Sequence, residues 1–121
     1  MDARVAAIFR YGDGQFANTY SALDASGRNI ATILGSEGRI EIDKTWYSPT
    51  TFRVVNGDDE IVESYVSEVT GRGMQYQALE AERLIRAGEI GSTVLSPAES
   101  VSIMQTLDDI RSQIGLVYPG E

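Results

Sequence analysis

The stretch Gly73-Met74-Gln75-Tyr76-Gln77-Ala78-Leu79-Glu80-Ala81-Glu82-Arg83-Leu84-Ile85-Arg86-Ala87-Gly88 decides the fold class. Met74, Ala78, Ala81 and Ile85 recur at steps of four, three and four, with Leu84 beside them. That spacing puts them on one stripe of an amphipathic helix over Met74 to Ala87. Gly88 stops it, because glycine adopts the left-handed conformation that closes a helix at no steric cost. Downstream, Ser96-Pro97-Ala98-Glu99 opens a second helix. Ser96 caps free N–H groups, Pro97 stands in the first turn, and Glu99 completes a capping box. Ile103, Leu107, Ile110 and Ile114 form its apolar stripe, flanked by Val101 and Met104, and Gly115 ends it.

Upstream the period is two. Val5, Ala7, Phe9 and Tyr11 alternate with Ala6, Ile8 and Arg10, which predicts a strand. Gly12-Asp13-Gly14 supplies a hairpin turn, and a return strand runs through Gln15 to Leu23. Ser26-Gly27 turns the chain into a strand over Asn29 to Leu34. Gly35-Ser36-Glu37-Gly38 leads to Arg39-Ile40-Glu41-Ile42-Asp43, whose alternation marks a strand with one wet face. Pro49 breaks the pattern from Thr45 to Thr51. Phe52 to Val55 and Ile61 to Val66 flank the turn Asn56-Gly57-Asp58. The expectation is α+β: an open, predominantly antiparallel sheet with two C-terminal helices packed on one face, residues 1–121 forming a single domain. Two helices shield only one sheet face, so the other requires a cover, which points to a second subunit or a second domain.

The chain has 121 residues, within the usual size of one domain, and 42% of them are hydrophobic. A chain of this size can bury roughly two-thirds of its unfolded surface. It contains no Cys and no His, which excludes zinc fingers, thiol nucleophiles, imidazole bases and His-ligated metals. Ten Lys and Arg against 18 Asp and Glu give a net charge of −8, which repels nucleic acid. No run is long enough to span a membrane, and Met1-Asp2-Ala3-Arg4 does not read as a signal peptide. The expected location is the cytoplasm.

Few residues offer chemistry. Asp108-Asp109 beside Arg111 reads either as a carboxylate pair or as a solvated helix face with local charge pairing, and the second reading is preferred. Glu80 and Glu82 point to different sides of their helix and form no dyad. Gly71-Arg72-Gly73 precedes a helix whose first N–H groups can hold an anion, with Arg72 beside it. The alternative is a flexible connection that permits close helix–sheet packing. Trp46, the single Trp, is either a core anchor or the wall of an apolar pocket. Lys44, the single lysine, reads as a surface residue. No nucleophile–base pair can be assembled, so the chain by itself is not expected to be a complete enzyme.

Several segments nevertheless resemble one oxidoreductase family. They are residues 31–42 with Trp46 and Pro49, residues 73–81, and Ile85-Arg86-Ala87-Gly88. Ser96-Pro97 through Glu99-Ser100 and an ending with Met104, Leu107-Asp108-Asp109-Ile110-Arg111, Gln113-Ile114-Gly115-Leu116 and Tyr118-Pro119-Gly120-Glu121 follow in the same order. The family is named for glucose–fructose oxidoreductase and inositol dehydrogenase and includes the dihydrodiol dehydrogenases. The resemblance implies the C-terminal domain of a two-domain enzyme, whose sheet walls the substrate site and joins subunits. An N-terminal Rossmann domain holds NAD or NADP in such enzymes, so the cofactor is expected in the full-length parent and not in this chain.

The dinucleotide fingerprint, the Glu-Lys-Pro segment with the family's lysine, and the Asp-x-x-x-His motif are not in this sequence. No catalytic residue is carried over, and Gln77 stands where the family often has Glu. Trp46 matches an aromatic position near the substrate pocket, and Trp46, Arg72 and Tyr76 are the substrate-pocket candidates. The expected function is the substrate-binding and oligomerisation domain of an NAD(P)-dependent oxidoreductase acting on a sugar, polyol or diol, inactive alone. Its expected partners are the Rossmann domain and a second copy of itself, met through the uncovered sheet face. The alternative is a free-standing dimerisation or ligand-binding module; the start at Met1-Asp2 close to a strand favours the fragment.

Overall fold

A computed structural model describes residues 3–120. The opening Met1-Asp2 and the last residue of the Tyr118-Pro119-Gly120-Glu121 ending lie outside the described residues. Six strands precede two helices: β1 (Arg4–Arg10), β2 (Phe16–Ala22), β3 (Ala31–Leu34), β4 (Gly38–Ile42), β5 (Phe52–Asn56), β6 (Ile61–Tyr65), α1 (Met74–Ala87) and α2 (Pro97–Gln113). All strand pairing is antiparallel and both sheets are open, so the class is α+β. The strands do not run as one meander. β1 and β2 form a ribbon, and β3-β4-β5-β6 form a separate sheet. Residues 24–30 between them pair with neither sheet, and within them Asn29 takes a positive φ of 52° that no continuous strand tolerates. The chain divides into two compact units, one spanning Arg28–Ala87 and one made of the chain up to Gly27 and from Gly88 onwards.

In the unit of β3 to β6, register assigns the faces. Ile40 opposes Val54 and Ile42 opposes Phe52, while Glu41 opposes Arg53 and Arg39 opposes Val55. Side chains alternate across a strand, so Ile33, Ile40, Ile42, Phe52, Val54 and Tyr65 share one face. Phe52 and Tyr65 stack there at 5.0 Å between ring centroids. The opposite face carries charge. Arg39 donates to Glu41 (2.7 Å) and to Asp59 (2.6 Å), and Arg53 donates to Asp43 and lies 4.0 Å from Glu41. Gly38 is required at its position, because a Cβ would overlap the Val55 carbonyl oxygen across the β4–β5 pair.

In the other unit, the hairpin closes at Gly12-Asp13-Gly14, with Tyr11 N–H on Gln15 O at 2.9 Å and Gly14 at φ 82°. Arg4 grips Asp24 through Nε and Nη2, at 2.8 to 3.1 Å. α2 starts as its sequence requires: Ser96 Oγ accepts from Glu99 N–H at 3.1 Å and Pro97 occupies the first turn. It ends at Gly115, φ 66°, where Leu116 N–H reaches Arg111 O at 2.9 Å. Neither helix has a buried residue. Val55 is the one buried hydrophobic among the described residues, so these units fall well short of the interior a chain of this length can build.

Candidate functional site

The loop from Asp43 to Thr51 leads β4 into β5 and carries Trp46. Asp43 N–H donates to Thr51 O (3.0 Å) and closes it. Inside, Ser48 N–H reaches Thr45 O (2.8 Å), Thr50 Oγ1 donates to Lys44 O (3.1 Å), and Trp46 N–H reaches Asn29 O (3.4 Å). These bonds hold Trp46 and Tyr47 edge to face, with centroids 5.8 Å apart and planes at 84°. Both rings are about half exposed, so Trp46 is not a core anchor of its unit. The next turn of the loop places Pro49 against the start of α1. A Cβ on Gly73 would stand 3.0 Å from Pro49 Cγ and 3.7 Å from Tyr76 Cδ2. Gly73 at φ 76° permits this approach, and its carbonyl accepts from Tyr76 N–H at 3.1 Å.

The structure thus brings the loop of Trp46 and the first turn of Tyr76 together through the Pro49–Gly73 contact. Arg72, exposed, lies one residue before Gly73. Trp46, Tyr47 and Tyr76 are all exposed. Gly73 lies against Pro49 of the β4–β5 loop and not against a strand.

The helical carboxylates behave as local partners. Asp108 pairs with Arg111 at 3.0 Å, and Arg111 also lies over the Tyr118 ring at 4.5 Å. Glu80 pairs with Arg83 and Glu82 with Arg86 along α1. Among the described residues no three His, Cys, Asp or Glu side chains gather to hold a metal ion. No helix is long and apolar enough to cross a membrane. The charged ladder of Arg39, Glu41, Arg53 and Asp43 was missed in the sequence reading. Its signal was there: charges at every second residue of β4 facing an arginine on β5.

A dinucleotide does not fit the described residues. Gly12-Asp13-Gly14 joins two antiparallel strands rather than a strand and a helix, and Gly71-Arg72-Gly73 does not follow a strand directly, its Gly73 lying against the Pro49 ring.

An open-sheet α+β chain with an exposed aromatic loop beside a helix start is, by comparison with known proteins, a relative of dehydrogenases. It is 33% identical over 94 residues to D-xylose 1-dehydrogenase (NADP(+)) of Hypocrea jecorina, covering 72% of this chain and 24% of that protein. It is 27% identical over 124 residues to trans-1,2-dihydrobenzene-1,2-diol dehydrogenase of Xenopus tropicalis and likewise of Mus musculus, covering 98% of this chain and 37% of each relative. No protein-family model matches the chain. The chain belongs to the glucose–fructose oxidoreductase and inositol dehydrogenase family, of which these dehydrogenases are members. It spans only about a quarter to somewhat over a third of their length.

Proposed function

We infer that these 121 residues are the C-terminal substrate-binding and oligomerisation domain of an NAD(P)-dependent oxidoreductase that acts on a sugar, polyol or diol. The observation that carries this reading is the match of 98% of the chain to just 37% of the dihydrodiol dehydrogenases. A dinucleotide would be held by the part of the enzyme outside this chain and would supply hydride chemistry there. The residues of this chain bind and orient. The Trp46 and Tyr47 rings offer faces to the C–H side of a sugar or diol, and the Tyr76 hydroxyl and Arg72 guanidinium take hydroxyl groups. By itself the chain binds no dinucleotide and turns nothing over. The apolar sheet face of Ile33, Ile40, Ile42, Phe52, Val54 and Tyr65 supports self-association, since Ile33 and Tyr65 are 58% and 47% exposed. No nucleic acid or membrane partner is proposed, and the cytoplasm is the proposed location.

The test begins with the size of the native protein in its source cells, read by immunoblot. A chain of roughly 300 residues or more, as two domains require, is expected. That protein is then assayed with NAD+ and NADP+ on D-xylose and on trans-1,2-dihydrobenzene-1,2-diol. Trp46→Ala is expected to raise KM about tenfold or more, the loss of one stacking contact of ~1.5 kcal/mol. A native band at 13.2 kDa, or NADPH binding by the 121-residue chain seen in fluorescence titration, would sink the reading.

A further inference from the structure

The turn between β5 and β6 begins with Asn56-Gly57, the one Asn-Gly pair of the sequence. The other asparagines, Asn18 and Asn29, precede Thr19 and Ile30. Asparagine before glycine is chemically labile. The backbone nitrogen of the following residue attacks the side-chain carbon Cγ and closes a five-membered ring, and glycine has no side chain to block the approach. The β-branched Thr19 and Ile30 crowd it.

Asn56 is the last residue of β5 and half-buried, whereas Gly57 is exposed. A Cβ on Gly57 would meet the Glu37 carbonyl oxygen at 3.8 Å and nothing closer, so space is open on that side of the turn. The Asn56 carboxamide is held at both ends. Its Oδ1 accepts from Asp58 N–H at 3.0 Å and from Glu60 N–H at 2.9 Å, and its Nδ2 donates to Glu60 Oε2 at 3.1 Å. The main chain of the residue is fixed as well. Its N–H donates to Glu60 O (3.0 Å), and its carbonyl accepts from Asp59 N–H (3.2 Å). Ring closure needs Cγ to swing over the Gly57 nitrogen, a rotation that gives up the side-chain bonds together. The sequence supplies a labile pair, and the hairpin restrains it.

We propose that Asn56 is a deamidation site that the folded β5–β6 hairpin holds dormant and that local opening of the hairpin releases. The reaction needs only water. The Gly57 nitrogen loses its proton to solvent and bonds to Asn56 Cγ. The Cγ–Nδ2 bond breaks, and the nitrogen leaves as ammonia with a proton from solvent. Water then opens the cyclic imide at either carbonyl, giving aspartate or isoaspartate, and nothing is oxidised or reduced. Neither product suits the turn as asparagine does. Aspartate puts an oxygen where Nδ2 stands 3.1 Å from Glu60 Oε2, so two carboxylates meet in a turn that already carries Asp58 and Asp59. Isoaspartate lengthens the main chain by one carbon. A Cβ on Gly38 of β4 would stand 3.2 Å from Asn56 Cα, so the strands are close here and a longer main chain displaces the Asn56–Gly38 pair. Val55, buried, is the neighbouring residue of β5. Conversion therefore hinders the hairpin from closing again and leaves a one-way record of its opening.

Mass spectrometry of the full-length protein tests this. It follows the replacement of NH2 by OH at residue 56 during incubation in mildly alkaline buffer, native and in urea. A synthetic peptide of residues 52–61 gives the unrestrained rate. The folded protein is expected to convert at least about tenfold more slowly than either reference, because the carboxamide bonds are lost together. Glu60→Ala removes the Nδ2 acceptor and keeps the backbone bonds. It is expected to raise the native rate about threefold or more and to leave the rate in urea unchanged. Gly57→Ala is expected to slow conversion under both conditions. Asn56→Asp, the aspartate product itself, is expected to lower Tm by about 2–4 °C, and Glu60→Gln in that background to recover the loss. A native rate equal to or above the rate in urea overturns the proposal, since the fixed carboxamide would then be poised for attack. So does conversion of Asn18 or Asn29 in urea as fast as Asn56. An Asn56→Asp protein and an isolated isoaspartyl form both as stable as the parent would overturn the one-way record.

Discussion

The ring of Pro49 lies against Gly73, with its Cγ 3.0 Å from the point where a Cβ would stand. This contact joins the loop of Trp46 to the first turn of α1, and it adds to a second constraint on the same glycine, its φ of 76°. Gly71 shares the backbone constraint at φ 81° but has open space around it. Gly71→Ala is therefore expected to cost about 1 kcal/mol, the strain of a left-handed alanine. Gly73→Ala adds the overlap with Pro49 and is expected to cost about 2–3 kcal/mol. Urea unfolding of both variants checks the difference. If Pro49→Ala fails to recover part of the Gly73→Ala loss in a double-mutant cycle, the contact is not its source.

The charged face of the β3–β6 sheet gives a smaller expectation. Arg39 holds Glu41 and Asp59 at once, and these side chains are 32%, 37% and 78% exposed. Solvent screens pairs so exposed, and single pairs of this kind contribute little. Arg39→Met is expected to lower stability slightly, and 0.5 M salt is expected to remove most of the difference. A loss that persists unchanged in high salt would assign the effect to the aliphatic stem of Arg39 rather than its charge.

Helix α2 depends on its cap. Ser96 Oγ takes the Glu99 N–H at 3.1 Å, and its backbone at φ −74°, ψ 154° is extended, as a cap residue's must be. Ser96→Ala is expected to cost about 1 kcal/mol and to reduce far-UV helical signal, while Ser96→Asp retains both. Equal signal and stability in the alanine variant would show that Pro97 alone fixes the start.

What the sequence disclosed and what it concealed follow from the range of the interactions. The bounds of α1, Met74–Ala87, were readable because its stripe and its stop at Gly88 are local. So was the Ser96-Pro97 start of α2, since a cap involves three neighbours. The hairpins at Gly12-Asp13-Gly14 and Gly35-Ser36-Glu37-Gly38 were readable for the same reason. The split of the strands into a ribbon and a separate sheet was not, because it turns on the absence of strand pairing across residues 24–30. Nor was the placement of Pro49 on Gly73, two residues 24 positions apart whose meeting no periodicity encodes. The setting of Trp46 is hidden for the same reason, since its half-exposed ring rests on a loop held to the distant Asn29 carbonyl.

The pair of Arg4 and Asp24 gives an acid-side prediction with a definite sign. The guanidinium donates to both carboxylate oxygens, and this holds the Asp24 carboxyl below its ordinary value of 3.8, while Arg4 moves above its own ordinary value. A carboxyl depressed in the folded state binds its proton more weakly there than in the unfolded chain. The stability it contributes is thus present above pH 3.8, shrinks as pH falls below that value, and is gone below the folded-state pKa. Both side chains are well exposed to solvent, so the effect is small and is best read at the residue itself. Carboxyl NMR titration of Asp24 is expected to give a midpoint below 3.8, and Arg4→Met is expected to return it to that value. A midpoint unchanged by the substitution would mean that the two side chains do not hold each other in solution, and with it the clamp at the open end of the β1–β2 ribbon would go.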